Sequence, residues 1–126
     1  MSVLVDSSVW IDYFRGDNPD DALDLLIDQN LVATNALILA ELLPLLYQKR
    51  QRKLAAILLE LQRQPMNIDW TEIIEMQTLC LRNGINAVGI PDLMIAQNAI
   101  QGDLLLFSTD KHFPLIAEHI PLRMYA

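Results

Sequence analysis

Hydrophobic residues follow two rhythms along this chain: short continuous runs, and longer stretches with an apolar residue every three or four positions. The two alternate. Val3-Leu4-Val5 is a β-branched run that stops at Asp6-Ser7-Ser8, residues suited to open a helix, so it predicts a strand and then a helix. Val9 to Phe14 reads as a short helix closed by Arg15-Gly16, with Asp17-Asn18-Pro19 as a loop and a second helix from Asp20 to Gln29. Leu31-Val32-Ala33 is a second strand. Thr34 or Asn35 caps the next helix, which carries Glu41 on its apolar flank and Pro44 three residues later, where a bend is expected. After a basic stretch, Leu54 to Leu61 continues as a helix ending near Pro65, and Met66 to Ile68 reads as a strand.

Asp69 and Glu72 have the spacing of a capping box and open a helix that runs to Asn83-Gly84. Ile90-Pro91-Asp92 opens another, with Pro91 as its first residue, which stops at Gly102. Leu104 to Phe107 is an unbroken apolar run of the kind found in buried parallel strands, followed at once by Ser108-Thr109-Asp110. A short helix over Phe113 to His119 and a last strand at Leu122 to Tyr125 close the chain. Strands alternating with helices predict an α/β domain built on a mainly parallel sheet. With no repeat or linker in the pattern, residues 1–126 read as a single domain.

Composition adds a partner to that picture. The chain is 52% hydrophobic, and its mean hydropathy of +0.24 implies apolar surface covered by a second copy, by another protein, or by both. The longest apolar stretch, Ala36 to Tyr47, is too short to cross a bilayer and contains Glu41 and Pro44, so no transmembrane helix is expected. The N-terminus lacks a basic leader with a long apolar region, which points to the cytoplasm. Cys80, the sole cysteine, reads as a buried structural thiol.

The net charge of −7 argues against general attraction to nucleic acid. Five of the nine basic residues, Lys49, Arg50, Arg52, Lys53 and Arg63, nevertheless fall in one segment. They form either a local positive face or a solvated helix start.

The candidate chemistry lies in four acids, Asp6, Glu41, Asp92 and Asp110, each beside or inside an apolar segment. In an open parallel sheet, ligands bind at the carboxyl ends of strands, which is where Asp6 and Asp110 fall. Gathered carboxylates repel by roughly 3 kcal/mol per pair at about 5 Å and an effective dielectric near 20. A cation must join them. Oxygen donors with no histidine or thiolate nearby select Mg²⁺ or Mn²⁺. Taken alone, Asp92 is explained by its helix start, and Asp20, Asp21, Asp24 and Asp28 by a solvated helix face. His112 and His119 read as surface or packing residues rather than an acid–base pair.

The stretch Val5-Asp6-Ser7-Ser8-Val9-Trp10-Ile11-Asp12-Tyr13-Phe14-Arg15-Gly16 resembles the opening of a PIN-domain nuclease of the VapC toxin family. The likeness extends to Ala40-Glu41-Leu42, to Ile90 through Ala96, and to Leu106 through Phe113. It implies a three-layer α/β/α fold in which Asp6, Glu41, Asp92 and Asp110 hold Mg²⁺, or Mn²⁺, for hydrolysis of RNA. Ser108 fills a hydroxyl position where threonine is commoner, and Asp12 and Arg15 match as supporting residues. Glu41 would orient water as a general base, and Ser108 would hold a carboxylate or a water. The resemblance also implies a VapB-like antitoxin and a homodimer, with Leu37 to Tyr47 and Leu54 to Leu61 as the groove. Two other readings keep the fold: a non-catalytic interaction module, and a nuclease of RNA processing rather than a toxin. Aspartyl-phosphate folds fit poorly, because Ser8 stands where a dehalogenase-type phosphatase needs a second Asp.

Overall fold

Val3-Leu4-Val5 forms the strand β1 (Val3–Val5), fully buried between neighbours on both edges. In chain order the elements that follow are α1 (Ser7–Arg15), α2 (Ala22–Asp28), β2 (Val32–Thr34), α3 (Ala36–Gln48), α4 (Arg52–Glu60), β3 (Gln62–Arg63), α5 (Trp70–Arg82), α6 (Ile90–Gln101), β4 (Leu105–Phe107) and α7 (His112–Ala117). The structure is a computed structural model and describes residues 1–16 and 21–126. The expected loop at Asp17-Asn18-Pro19 and the expected helix start at Asp20 lie outside the described residues.

The sheet has the order β3-β2-β1-β4, and every pairing is parallel. Helices flank it, giving the PIN-like α/β architecture. The register sets Val3 beside Val32 and Leu105, and Val5 beside Phe107. Consequently the residues that follow β1 and β4, Asp6 and Ser108, emerge side by side. The pairing continues one step past the strand, since the Asp6 N–H donates to the Phe107 carbonyl at 2.9 Å. Leu4, Ile38, Leu42, Leu93, Leu106 and Phe113 are among the fully buried side chains, so strands and site-bearing helices share one core. No helix among the described residues is long and apolar enough to cross a membrane.

Two strands and the position of Pro91 depart from expectation. The strand read at Met66 to Ile68 lies at Gln62–Arg63, two exposed polar residues that add an edge to the sheet beside Ala33 and Thr34. An edge strand needs only backbone pairing, so hydropathy does not reveal it. The segment read as a strand is satisfied instead by amides of α6. Asn98 donates to the Pro65 carbonyl at 3.0 Å, Gln101 to the Asn67 carbonyl at 2.8 Å, and Gln97 to the Asp69 carbonyl at 3.1 Å. The last strand, expected over Leu122 to Tyr125, shrinks to a single bridge between Leu106 and Met124. Pro44 leaves α3 unbroken from Ala36 to Gln48. The carbonyl that loses its helical partner there belongs to Ala40, an exposed residue. Pro91 is the second helical residue rather than the first, still among the positions whose N–H needs no partner.

Candidate functional site

Asp6 directly precedes α1 and is only 5% exposed, an expensive place for a carboxylate. Two hydroxyls compensate it. Ser8 Oγ donates to Asp6 Oδ2 at 2.8 Å and Ser108 Oγ donates to the same oxygen at 2.9 Å. Both donors converge on one oxygen, so Oδ1 has no hydrogen-bond partner among the described residues. The two serines lie 3.3 Å apart, Ser8 Oγ also accepts from the Thr109 N–H at 3.2 Å, and Ser108 Oγ accepts from the Asp110 N–H at 3.0 Å. The ends of β1 and β4 are thereby laced together by side chains as well as by the sheet.

Glu41 sits on α3, whose start is fixed by Asn35: its side-chain oxygen accepts from the Ile38 N–H at 2.8 Å. Ser7 Oγ, in the first turn of α1, donates to Glu41 Oε1 at 3.4 Å. Although much of Glu41 meets solvent, its carboxyl pKa is raised by burial, then by the charges of Asp6 and Asp92, against the lowering effect of Ser7. Asp92 stands in the first turn of α6 and accepts from the Gly89 N–H at 3.4 Å. Its pKa is raised by burial first, and then by Asp110 and Asp6, with Gly89 and His112 acting in the opposite sense. The charge of Asp6 acts on both Glu41 and Asp92, and that of Asp110 acts on Asp92, so Asp92 stands between the other acids.

Asp110 Oδ1 accepts from the His112 N–H at 2.9 Å and lies 2.9 Å from His112 Nδ1. Ligand atoms of Asp92, Asp110 and His112 all fall within 4.8 Å of one another, a set that fits a divalent ion. Of the residues expected from the sequence, Asp92 and Asp110 belong to this set, whereas Asp6 and Glu41 do not: Ser108 joins Asp6 to the Asp110 main chain, and Glu41 bonds Ser7. Asp12 makes no bond to the set among the described residues. Arg15 and Lys49 instead rim a hollow floored by Ile11, Phe14, Leu45, Leu46 and Leu54. Arg15 ends the helix that Ser7 begins, so this hollow lies about 12 Å along α1 from the acids.

Two site residues were missed. Ser8 reads in the sequence as a helix opener, but its hydroxyl turns to Asp6 instead of capping. His112 reads as a surface or packing residue and the acids as having no histidine nearby, whereas its ring lies 2.9 Å from Asp110; the Asp-x-His spacing immediately after a core strand was the available signal.

Carboxylates converging at the carboxyl ends of parallel strands, with donors spaced for a divalent cation, define an α/β domain with a candidate metal centre. The chain belongs to the PIN domain family, whose pattern matches residues 3–119. No curated protein sequence matches it closely enough to count as a relative. Among solved structures it resembles VapBC2 from Rickettsia felis bound to a promoter DNA fragment, with TM-score 0.75, 24% identity, and 99% of this chain and 98% of that chain covered. It also resembles DNA-bound VapBC from Salmonella typhimurium, with TM-score 0.74, 16% identity and coverage of 99% and 97%. A third likeness is to VapBC-1 from nontypeable Haemophilus influenzae, with TM-score 0.74, 18% identity and coverage of 99% and 97%.

Proposed function

We propose that this protein is a Mg²⁺-dependent endoribonuclease, with Mn²⁺ as an alternative ion, and the toxin of a VapBC-type pair in the cytoplasm, its one PIN domain spanning residues 1–126. The observation that supports the reading is geometric: donor atoms of Asp92, Asp110 and His112 lie within 4.8 Å of one another, beside Asp6 held by Ser108 at the ends of β1 and β4.

Asp6, Asp92 and Asp110 would hold the ion, with Glu41 beside it. A bound divalent ion supplies a water of lowered pKa and neutralises phosphate charge. Glu41, whose raised pKa makes it a better base than an ordinary carboxylate, orients the attacking water and accepts its proton. The new bond forms between that water's oxygen and phosphorus, the bond from phosphorus to the departing ribose oxygen breaks, and that oxygen is protonated from solvent. Ser8 and Ser108 hold Asp6 Oδ2, which would leave Oδ1 as the oxygen offered to an ion.

The VapBC complexes among the structural neighbours support a VapB-like antitoxin as partner. The apolar hollow between α1, α3 and α4, rimmed by Arg15 and Lys49, suits an amphipathic segment of such a partner. It includes Leu45, Leu46 and Leu54 from the groove expected by sequence, and α1 contributes the wall that the pattern did not anticipate. A homodimer is the second assembly we propose.

Incubation of purified protein with structured and single-stranded RNA tests the activity. Cleavage is expected with Mg²⁺, lost in EDTA and regained on adding Mg²⁺. Asp92→Asn and Asp6→Asn are each expected to abolish it with the circular dichroism spectrum unchanged. Full cleavage by either variant, or in EDTA, overturns the assignment.

A further inference from the structure

His112 opens α7, two residues beyond Asp110, and its backbone N–H is bonded to Asp110 Oδ1 at 2.9 Å. That main-chain bond anchors the base of the imidazole against the carboxylate. Nδ1 then lies 2.9 Å from the same oxygen. In an octahedral shell with bonds of about 2.1 Å, neighbouring donors stand about 3 Å apart. With a proton on Nδ1 this is a hydrogen bond to Asp110; with the proton on Nε2 the same separation suits two adjacent ligands of one ion, and Asp92 completes a set within 4.8 Å. The ring and the Asp110 side chain are 35% and 33% exposed, so an ion can reach them. His119, the other histidine, has no part in the set.

We propose that His112 is a nitrogen ligand of the candidate metal centre and biases it toward Mn²⁺ over Mg²⁺. This rests on the reading of the acids as a metal site. An all-oxygen site is the natural setting for Mg²⁺, which gives up water reluctantly and gains little from an imidazole. Imidazole raises affinity for first-row transition ions. One histidine therefore changes the choice of ion without changing the charge of the site.

The test is direct metal binding. Calorimetry with Mg²⁺ and with Mn²⁺ is compared for the native protein, His112→Ala and His112→Asn, the last keeping an N–H donor near the position of Nδ1. Electron spin-echo spectroscopy of bound Mn²⁺ is run on protein with natural and ¹⁵N-labelled histidine. Expected are a nitrogen coupling that changes with the label, persists in His119→Gln and vanishes in both His112 variants. Mn²⁺ affinity should fall about tenfold or more in His112→Ala, with Mg²⁺ affinity within about twofold. Mn²⁺ bound without nitrogen coupling, or equal losses for both ions, overturns the ligand role and leaves the acid site standing. Failure of the native protein to bind either ion overturns the metal reading itself. Labelled native protein and His119→Gln decide the matter even if the His112 variants fold poorly.

Discussion

Asp6 shows how a single residue is prepared. Its burial would be destabilising without Ser8 and Ser108, and both hydroxyls bond the same carboxylate oxygen. Ser108→Ala is expected to weaken divalent-metal binding about tenfold, because one of the two groups that orient Asp6 is gone. Ser108→Thr should restore it, and calorimetry distinguishes the pair; equal affinity in all three proteins would refute the positioning role. The raised pKa values of Glu41 and Asp92 give a second expectation. Their folded state favours the proton, so the stability they contribute is fully present below the ordinary carboxylate pKa near 4 and is lost as pH rises through the raised values. In EDTA, Glu41→Gln should therefore gain melting temperature relative to native protein as pH rises from 4 to 7, and Mg²⁺ should narrow that gap. A difference between the two that is independent of pH would contradict it. The four acids were legible because each lies next to an apolar run. The place of Ser8 was not, since it rests on a strand pairing that brings Ser108 and Thr109 to it from about one hundred positions away, whereas His112 carried its signal locally, two residues after Asp110.

Between elements, the link that matters most joins two helices that carry acids. Asn35, fully buried, caps α3 and donates from Nδ2 to Asn98 Oδ1 on α6 at 3.0 Å. Glu41 rides on the first of these helices and Asp92 on the second. Asn35→Ala removes the cap and strands the buried Asn98 amide, for an expected cost of about 2–3 kcal/mol in urea unfolding. Asn98→Ala should cost a similar amount. The double variant should lose clearly less than the sum, with a coupling of at least about 0.5 kcal/mol, because each single change already breaks the shared bond. Strict additivity would mean that the pair does not clamp the helices. The helices themselves were readable from periodicity and caps, Asn35 and Asp69 included. The return half of the expected box at Asp69 was not, because Gln97 intervenes: it accepts from the Asp69 N–H at 3.2 Å and donates to Glu72 Oε1 at 2.8 Å. Such long-range amides are invisible to a local pattern, and they also explain why Met66 to Ile68 is no strand.

At the scale of the whole molecule, the mean hydropathy signals surplus apolar surface without locating it, and α5 shows why. This helix carries two apolar stripes. Ile73, Met76 and Cys80 face the core, while Trp70, Ile74 and Leu81 are 56%, 66% and 55% exposed. At 100° per residue those three fall within an arc of about 40°, so they share one exposed face of the helix. Periodicity alone cannot say which stripe turns inward. This face lies on a different element from the hollow between α1, α3 and α4, and one surface can serve a second copy while the other serves an antitoxin. Ile74→Asp places a charge on that face and should convert a dimer to a 14.3 kDa monomer in sedimentation velocity, while RNA cleavage persists because none of the four acids lies on α5. Leu54→Asp, in the hollow, should leave the dimer intact and weaken capture of the antitoxin. A native chain that stays monomeric at high concentration, or an Ile74→Asp protein that still dimerises, would remove α5 as the self-association face and leave its exposed tryptophan and isoleucine to be covered by the partner protein instead.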